Sequence, residues 1–480
     1  GSFMRVTTAF IIILAMLLLI SPGVAANATA AELTLSTQAG TEDSAQIEES
    51  FPIAYAPALQ SLSACLMDAE SGQILYGKDM DRVMYPASIT KIMTALLALE
   101  KGNLSDVITM SHEAVFSIER GSSHIALDVG EQITLNDALY GLAISSANDA
   151  ANGIAEHISG SIENFAVLMT ERAAEAGALN THFSNANGLP DPEHVTTARD
   201  MALITRAAWQ TPGWSTYFST EHYVIPPTNI QPKERAMYAA NSFVNGEEKM
   251  EGLVASKTGY TNEAHHTLVT VASRNGRTLI AVVMNSELRS AIWDDTIALM
   301  DYGFEQFRPV TLDPETFPRD VVLFTDLQGE EKTATLAVQG PATIWLHQTV
   351  KTTDLDLTLL RPSDPTEEEL AQSAIRITIG NQFSDRMAPE VAEIPITPVI
   401  EAANSSLPAD EKNSQTVALS SNAPVPGWFV ALIMVLVTVG LLILAAIVYL
   451  IRMREIKRRH RRERLAQLRR NYQDSQIRYR

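Results

Sequence analysis

The sequence has a single cysteine and far fewer basic than acidic residues. One cysteine in 480 residues excludes an internal disulfide. Cys65 lies in the apolar run 64–67, which predicts a small core residue, with a catalytic thiol as the alternative. The chain has 36 Lys and Arg against 56 Asp and Glu, a net charge of −20. An acidic body repels phosphates, so the composition argues against nucleic acid as a partner.

The basic residues are concentrated near the C-terminal end. Residues 452–480 hold 12 Lys or Arg and three acids, a net of +9, so the rest of the chain carries −29. The 24 residues before this tail, 428–451, carry no charge. As a helix they would extend about 36 Å, enough to cross a bilayer. The pattern predicts a transmembrane helix at 428–451 with the basic tail in the cytoplasm and the body outside; a helix buried in a globular core is the alternative.

A second apolar run lies near the N-terminal end. Arg5 precedes twelve apolar residues, 9–20, which are followed by Pro22-Gly23 and the small-x-small site 26–28. This pattern predicts a secretory signal peptide over 4–28. An uncleaved anchor is the alternative, but the run is shorter than the roughly 20 residues that span a bilayer. The polar segment 29–57 is predicted to be flexible.

The middle of the chain predicts an α+β domain followed by a small all-β domain. Strand patterns come first, then a series of helical patterns, then strands over 253–284 and a last helix over 292–307. This order indicates a mixed sheet flanked by helices, with a helical subdomain inserted, over 58–308. Short β-prone runs predict an all-β domain over 309–396. The Ala-, Ser- and Pro-rich segment 397–427 reads as a linker.

One helical stretch carries a nucleophile and a base. Pro86 suits a helix entry, apolar residues recur at helical spacing after it, and Gly102 lies where the helix should end. Ser88 is therefore near the helix N-terminus, with Lys91 on the same face one turn later. A serine hydroxyl is a poor nucleophile until a base takes its proton. A lysine can act as that base when burial or a nearby cation lowers its pKa.

Two further motifs follow Ser88-x-x-Lys91. Ser146-Ala147-Asn148 comes after an apolar run, and Lys257-Thr258-Gly259 leads into the strand-like segment 267–272. Each motif is weak alone, since two common residues three apart occur by chance in most chains of this length. Their order, Ser-x-x-Lys, Ser-x-Asn and Lys-Thr-Gly, is that of the penicillin-recognising serine enzymes. The combination therefore predicts an enzyme that forms an acyl-serine intermediate.

At these motifs, and at 66–69, 183–189 and 194–200, the sequence resembles the D-alanyl-D-alanine carboxypeptidases. These are the low-molecular-mass penicillin-binding proteins of serine peptidase family S11. The likeness runs from about residue 58 through 307 and into the β domain, which the family also carries. It implies the serine β-lactamase/transpeptidase fold, a peptidoglycan pentapeptide as substrate, β-lactam antibiotics as inhibitors, and no metal or other cofactor.

The resemblance also implies roles for the first two motifs. Ser88 attacks the carbonyl between the last two D-alanines, and Lys91 is its general base. Ser146 relays protons to the leaving amine, and Asn148 bonds the substrate backbone.

The third motif is implied to bind substrate. Lys257 adds positive potential that helps keep the base neutral and attracts the terminal carboxylate, which Thr258 can bond. Gly259 lets the edge strand approach the substrate closely. The N–H groups of Ser88 and Tyr260 would form the oxyanion hole, worth about 3 to 4 kcal/mol per donor.

Two features depart from the resemblance. Family members usually end in an amphipathic helix on the membrane surface, whereas this chain has a full apolar span and a basic tail. Arg289 is the nearest candidate for the family's carboxylate-binding arginine, but its local context does not match, so it stays outside the predicted site. The pair His265-His266 has no third ligand with supporting spacing, so no metal site is predicted.

Two rival functions share some of these features. A class A β-lactamase needs a Glu-x-x-Leu-Asn string, and the closest one, from Glu175 to Asn180, is one residue too long and more plausibly ends a helix. A penicillin-acylated membrane sensor or inactive binding module would signal through 428–451 to the tail. That tail, however, has too few apolar residues for a recognisable effector domain.

Overall fold

The computed structural model describes residues 36–38, 52–363 and 365–402. The predicted signal peptide, the transmembrane helix 428–451 and the basic tail lie outside the described residues. In the described ranges, no helix is long and apolar enough to span a bilayer.

The helices are α1 Lys91–Lys101, α2 His112–Phe116, α3 Leu135–Ile144, α4 Asn148–Ser159, α5 Ile162–Glu175, α6 Ala198–Gln210, α7 Trp214–Tyr217, α8 Arg289–Glu305 and α9 Glu367–Leu370. Single 3₁₀ turns occur at Ala87–Thr90, Pro314–Thr316, Thr352–Asp354 and Asn381–Phe383. The strands of the first half are β1 Ser36–Gln38, β2 Ser63–Asp68, β3 Ile74–Lys78, β4 Val107–Thr109, β5 Gln132–Thr134, β6 His222–Ile225, β7 Arg235–Tyr238, β8 Leu253–Thr261, β9 His265–Arg274 and β10 Arg277–Ser286. The later strands are β11 Phe307–Leu312, β12 Asp320–Thr325, β13 Glu331–Leu336, β14 Ala342–His347, β15 Leu355–Leu360, β16 Ala374–Ile379, β17 Glu390–Pro395 and β18 Val399–Ala402.

A five-stranded sheet of order β3-β2-β10-β9-β8 forms the centre of the fold. All four strand pairs are antiparallel, so the prediction of a mixed sheet is wrong. The reason is connectivity: β2 and β3, and then β8, β9 and β10, are joined by short turns, and such turns connect antiparallel neighbours. Strand β8, which carries the Lys-Thr-Gly motif, lies at the edge of this sheet.

Alternate residues of the central strands enter two separate cores. Cys65 and Met67 of β2 belong to the core shared with α1 and α6, whereas Ala64 and Leu66 belong to the core shared with α8. Because both faces of β2 are covered, all six of its residues are buried. Cys65 is fully buried, which confirms a core residue. Burial raises the pKa of its thiol to about 12, which argues against a reactive thiol.

The predicted helical subdomain lies between β3 and β8 in the chain. Its helices begin at capping side chains: Thr134, Ser161 and Thr197 each accept the N–H three residues later, at the starts of α3, α5 and α6. Residues 91–98 of α1 are all buried, because this helix is surrounded by the others. The α1 N-terminus is thus held in a fixed place, where the Ser88 turn meets the edge of the sheet.

The region after α8 contains β strands, as predicted, and the structure also has strands where the sequence did not predict them. Strand β11 includes Pro309, where the sequence suggested a boundary. Strand β18 lies in the predicted linker and pairs with β13. Strand β1 lies in the segment predicted to be flexible and pairs with β15. Apolar alternation is too short in these runs to stand out from the surrounding polar residues.

The strands after α8 pack directly on the region that contains the central sheet. Their Leu346 and Leu357 share one core with Leu66 of the central sheet. The Gln73 side chain donates to the Trp345 carbonyl at 2.6 Å and accepts the Trp345 N–H at 2.8 Å. The two regions belong to one compact unit.

Candidate active site

Ser88 lies in the 3₁₀ turn that precedes α1, between two glycines that contact this turn. A Cβ at Gly188 would lie 2.0 Å from the Ala87 carbonyl oxygen, and one at Gly259 would lie 2.8 Å from the Ser88 nitrogen. Contacts this short are forbidden, so both positions require glycine. Gly259 thereby lets the edge strand lie directly against the turn that carries Ser88. Thr267 of the next strand donates to the Pro86 carbonyl at 2.9 Å and fixes the turn.

The Lys91 ammonium nitrogen is fully buried beneath Ser88. It lies 2.9 Å from Ser88 Oγ and 2.7 Å from Asn148 Oδ1, and it also contacts the Asn187 carbonyl oxygen. A neutral amine has two N–H donors and one lone pair. With Asn148 and Asn187 accepting both donors, the lone pair is directed at the Ser88 hydroxyl. The geometry suits a general base.

Burial lowers the pKa of Lys91 well below its usual value, and the positive charge of Lys257 lowers it further. The carboxylate of Asp149 acts in the opposite direction. Desolvation is the largest of these effects, because taking an ammonium out of water costs more than its hydrogen bonds return. Lys91 can therefore be neutral at a pH where a free lysine is fully charged.

Ser146 and Lys257 form a second polar pair. Lys257 Nζ lies 3.0 Å from Ser146 Oγ and 2.6 Å from the Thr258 carbonyl oxygen. Burial lowers the pKa of Lys257 to about 7. Ser146 has a positive φ of 54°, uncommon for a residue other than glycine, in the turn between α3 and α4.

A cleft of about 530 Å³ brings the three motifs together. Its lining includes every predicted site residue except the buried base, namely Ser88, Ser146, Asn148, Lys257, Thr258, Gly259 and Tyr260. Tyr260 is 55% exposed and packs its ring on that of His266, 4.5 Å away. Among the described residues that line the cleft there is no Asp or Glu, whereas Lys257 and Arg289 supply positive charge.

The structure adds to what the sequence suggested for two residues. Asn148 was expected to bond the substrate backbone; its side-chain oxygen accepts from Lys91, and its amide N–H₂ stays available for a ligand. Arg289 was left out of the predicted site, yet it lines the cleft, with its guanidinium donating to the Ala240 carbonyl at 3.0 Å. In sequence, nothing around Arg289 indicated that α8 begins at the cleft.

Two further residues of the site were not assigned a role from sequence. Asn187 contacts Lys91 through its carbonyl and donates from its side chain to Asn152 at 3.0 Å. His194 accepts the Ser184 N–H at 2.9 Å on Nδ1, so its Nε2–H donates to Thr90 Oγ1 at 2.8 Å.

His194 therefore connects the Ser88 turn to the loop that carries Asn187. Burial lowers its pKa to about 3, so it is neutral at physiological pH. In sequence, the loop was marked by the turn signal Asn187-Gly188 and by the resemblance at 183–189, neither of which indicated a contact with Lys91.

The two alternatives weighed from sequence differ in their position. Glu175 is at the end of α5, 69% exposed, 3.8 Å from Arg172, and does not line the cleft. His266 lines the cleft and packs on Tyr260. Within the described ranges, no three His, Cys, Asp or Glu side chains are grouped as metal ligands would be.

The sequence is similar to a family of known enzymes. The profile of the family described as D-alanyl-D-alanine carboxypeptidase, peptidase family S11, matches residues 51–287. D-alanyl-D-alanine carboxypeptidase DacF of Bacillus subtilis is 34% identical over 254 residues, which cover 52% of this chain and 63% of that protein. DacC of Escherichia coli is 32% identical over 282 residues, which cover 56% and 68%. The chain thus spans about two thirds of the length of these relatives.

A solved structure extends the comparison to the fold. The crystal structure of D-alanyl-D-alanine carboxypeptidase DacD from Francisella tularensis superposes with a TM-score of 0.53 at 22% sequence identity. The superposition covers 74% of this chain and 96% of that one, and it shows a shared fold. Because it is 32% identical to DacC over a match that covers 68% of that protein, this chain belongs to the D-alanyl-D-alanine carboxypeptidase family, peptidase family S11.

Proposed function

We propose that this protein is a serine-type D-Ala-D-Ala carboxypeptidase. It removes the terminal D-alanine from peptidoglycan stem peptides through an acyl-enzyme on Ser88, and β-lactams acylate the same serine. The observation that carries this proposal is the set of contacts at Lys91: two acceptors take its N–H groups and Ser88 Oγ lies 2.9 Å away. That arrangement is a nucleophile with a desolvated base.

In the acylation step, Lys91 accepts the Ser88 proton as Oγ bonds to the carbonyl carbon of the penultimate D-alanine. The negative charge that develops on the carbonyl oxygen is stabilised by the N–H groups of Ser88 and Tyr260. As the intermediate collapses, the C–N bond breaks and the proton that Lys91 accepted passes through Ser146 to the leaving amine, so Lys91 is neutral again for the next step. Ser146 Oγ lies 3.0 Å from Lys257 Nζ. Free D-alanine and an ester on Ser88 result.

In the deacylation step, Lys91 takes a proton from a water molecule as the water oxygen attacks the ester carbon. The bond to Ser88 Oγ breaks, the hydroxyl regains its proton, and the shortened peptide leaves. We expect a β-lactam ester to be hydrolysed more slowly here than in a class A β-lactamase, whose glutamate activates the water, because the described lining of this cleft contains neither Asp nor Glu.

The terminal carboxylate of the substrate fits the charge of the cleft. Lys257, Thr258 and Arg289 offer it positive charge and a hydroxyl donor, and no described lining residue is acidic. The chain as a whole carries −20, so this cleft is a local positive region on an acidic protein. Such a region selects for an anionic ligand.

The same lack of an acidic lining residue disfavours a class A β-lactamase, whose rapid deacylation uses a glutamate. One incubation separates the candidate functions: the purified protein is mixed with a stem-peptide mimic ending in D-Ala-D-Ala and, separately, with labelled penicillin. Free D-alanine together with a stable label supports the carboxypeptidase. Rapid loss of label identifies a lactamase. Stable label without D-alanine release identifies a penicillin-acylated sensor or binding module.

The proposal includes a location at the cell membrane, single-pass, with the catalytic domain outside the cytoplasm. It is supported by sequence alone: the signal-like segment 4–28, the uncharged span 428–451, and the +9 charge of 452–480. An extracytoplasmic domain would meet peptidoglycan, the proposed substrate.

A further inference from the structure

Asp149 is a buried carboxylate beside the active site that the proposed mechanism does not use. It is 1% exposed and lies in the first turn of α4, directly after Asn148. Its Oδ1 accepts the Ala150 N–H at 2.9 Å and the Ile125 N–H at 3.2 Å, and its Oδ2 accepts the Leu127 N–H at 3.0 Å. A buried carboxylate is tolerated only when its oxygens are bonded, as these are.

The two N–H groups from the neighbouring loop flank a strained residue. Ala126, between Ile125 and Leu127, has a φ of +54°, the left-handed region that alanine avoids. Such a conformation persists only when its surroundings hold it in place. The Asp149 carboxylate bonds the amides on both sides of Ala126. His124 Nδ1 accepts the Ala126 N–H at 3.0 Å, and Arg235 donates to the Ala126 carbonyl at 3.1 Å. Asp149 is the fully buried member of the groups that hold this turn.

The strained turn belongs to a segment that borders the cleft. Residues 121–127, here termed the wall segment, include Gly121, Ser122 and Ser123 of the cleft lining. The Ser123 carbonyl accepts the Asn148 N–H at 2.8 Å. Asn148 in turn holds Lys91 through its side-chain oxygen. A continuous series of hydrogen bonds thus joins the wall segment to the proposed base.

We propose that Asp149 is a positioning residue for the reaction at Ser88: its buried carboxylate holds the turn at Ala126 and thereby fixes the wall segment, Asn148 and the side of the cleft that these residues form. This inference rests on the proposed function, since it assumes acylation at Ser88.

Asp149 also acts on Lys91 through its charge. The titratable groups around Lys91 are Lys257 from β8, Asp149 from α4 and His194 from the loop before α6, and His194 is neutral. The Asp149 carboxylate raises the pKa of Lys91 against the effects of burial and Lys257. Removing this negative charge should therefore lower the pKa of Lys91. A residue that only supported the fold would not have this effect.

The test measures the rate of Ser88 acylation by labelled penicillin as a function of pH in the full chain. In Asp149→Asn, we expect the maximal rate to fall about 10-fold or more, because a displaced wall segment misplaces reacting groups. We also expect the rising limb of the pH profile to move to lower pH. If Asp149→Asn has the same maximal acylation rate as the wild-type protein and the same rising limb in its pH profile, the inference is wrong.

Asp200→Asn is the matched control. Asp200 is also 1% exposed and in the first turn of a helix, α6, and its carboxylate accepts the Asn180 N–H of a loop at 2.8 Å. Asp200 does not line the cleft and is not among the charges acting on Lys91. Asp200→Asn should lower the stability of the fold without moving the rising limb of the pH profile of acylation. An equal shift in both variants would contradict the proposed role.

A double variant separates the turn from the charge. Glycine adopts positive φ without strain, so Asp149→Asn/Ala126→Gly should recover part of the lost maximal rate. The limb should stay at the lower pH, because the charge is still missing. If the double variant regains neither the maximal rate nor the stability that Asp149→Asn loses, the carboxylate does not act by stabilising this turn.

If Asp149→Asn does not fold, amide hydrogen exchange of the unmodified chain tests whether Asp149 holds the turn at Ala126. The Ile125 and Leu127 amides should exchange as slowly as those of the buried turns of α4, because both are bonded to a buried group. Exchange at the rate of an open loop would overturn the inference. Failure of the proposed function is recognised separately, since covalent label on Ser88→Ala would refute the nucleophile itself whatever Asp149 does.

Discussion

Lys91 Nζ lies 2.9 Å from Ser88 Oγ, and its other two contacts are both oxygen acceptors, Asn148 Oδ1 and the Asn187 carbonyl. These acceptors come from α4 and from a distant loop, so three separate elements orient one amine. An ammonium would satisfy all three contacts with its three N–H groups. A neutral amine would satisfy two and accept the serine proton with its lone pair. The site can thus hold both protonation states that a general base passes through.

Replacing the base should slow acylation far more than it weakens binding. In Lys91→Ala, penicillin acylation is expected to fall by about 10² to 10⁴-fold, the usual contribution of a general base. The measurement is the second-order rate of label incorporation, with circular dichroism as a check on folding. Near-normal acylation would move the base role elsewhere, with Lys257 the next candidate.

The pH dependence of acylation should reveal two coupled lysines. The rate rises with pH as Lys91 loses its proton, at a pH well below the roughly 10.4 of a free lysine. Capture of the substrate carboxylate should weaken above the pKa of Lys257, about 7 in the free enzyme, because Lys257 is then neutral. The fitted values belong to the pair, since the two lysines interact.

Lys257→Ala tests this coupling. Removing a positive charge beside Lys91 favours its ammonium form, so the rising limb should move to higher pH while substrate affinity falls. Both effects are required and are read from rate and KM profiles of D-alanine release. If affinity falls and the limb stays in place, Lys257 is only an anchor for the carboxylate and burial alone sets the pKa of the base.

His194 should make stability depend on pH. Its pKa is lowered to about 3 in the folded chain, against an ordinary value of 6.5, so the unfolded chain binds more protons in between. Stability from this residue is therefore present above pH 6.5 and lost as the pH falls toward 3. His194→Gln can still donate to Thr90 but does not titrate. Urea unfolding should show a weaker loss of stability between pH 6 and pH 4 in this variant than in the parent, and equal slopes would refute the assignment.

Anchoring can be tested by truncation. A chain that ends near Pro424 lacks the span 428–451 but retains every element that the structure describes, through β18. We expect it to be recovered in the soluble fraction with penicillin labelling equal to that of the full chain. Recovery in the membrane fraction would indicate a second membrane contact.

The local part of the site could be predicted from sequence, and the part made by distant backbone could not. Ser88 and Lys91 are three residues apart on one helical turn, so their contact follows from helix geometry alone. The Lys257 motif was placed beside them only by resemblance, because a contact between a strand and a turn 169 residues apart has no local signal. The contact between Lys91 and the Asn187 carbonyl involves a backbone atom 96 residues away, which residue types do not specify.

The same limit applies to the fold. Capped, amphipathic helices such as α3 and α6 belong to the series of helical patterns that the sequence predicts, because their start signals and apolar faces are local. Strand direction in the central sheet and the short strand β18 depend on which distant strand pairs with which, and there the predictions were wrong. Asp149 went unnoticed because the turn that it bonds, at Ala126, has no glycine to mark its positive φ.

The most direct test of the proposed acylation of Ser88 is to trap the acyl-enzyme formed from substrate itself. The protein is incubated with a peptide ending in D-Ala-D-Ala, quenched in acid and analysed by mass spectrometry, with Ser88→Ala as the control. Acylation of Ser88 predicts a mass increase equal to the peptide minus one D-alanine, located on the fragment that contains Ser88 and absent from the control. An adduct on another residue, or D-alanine release that persists in Ser88→Ala, would contradict it.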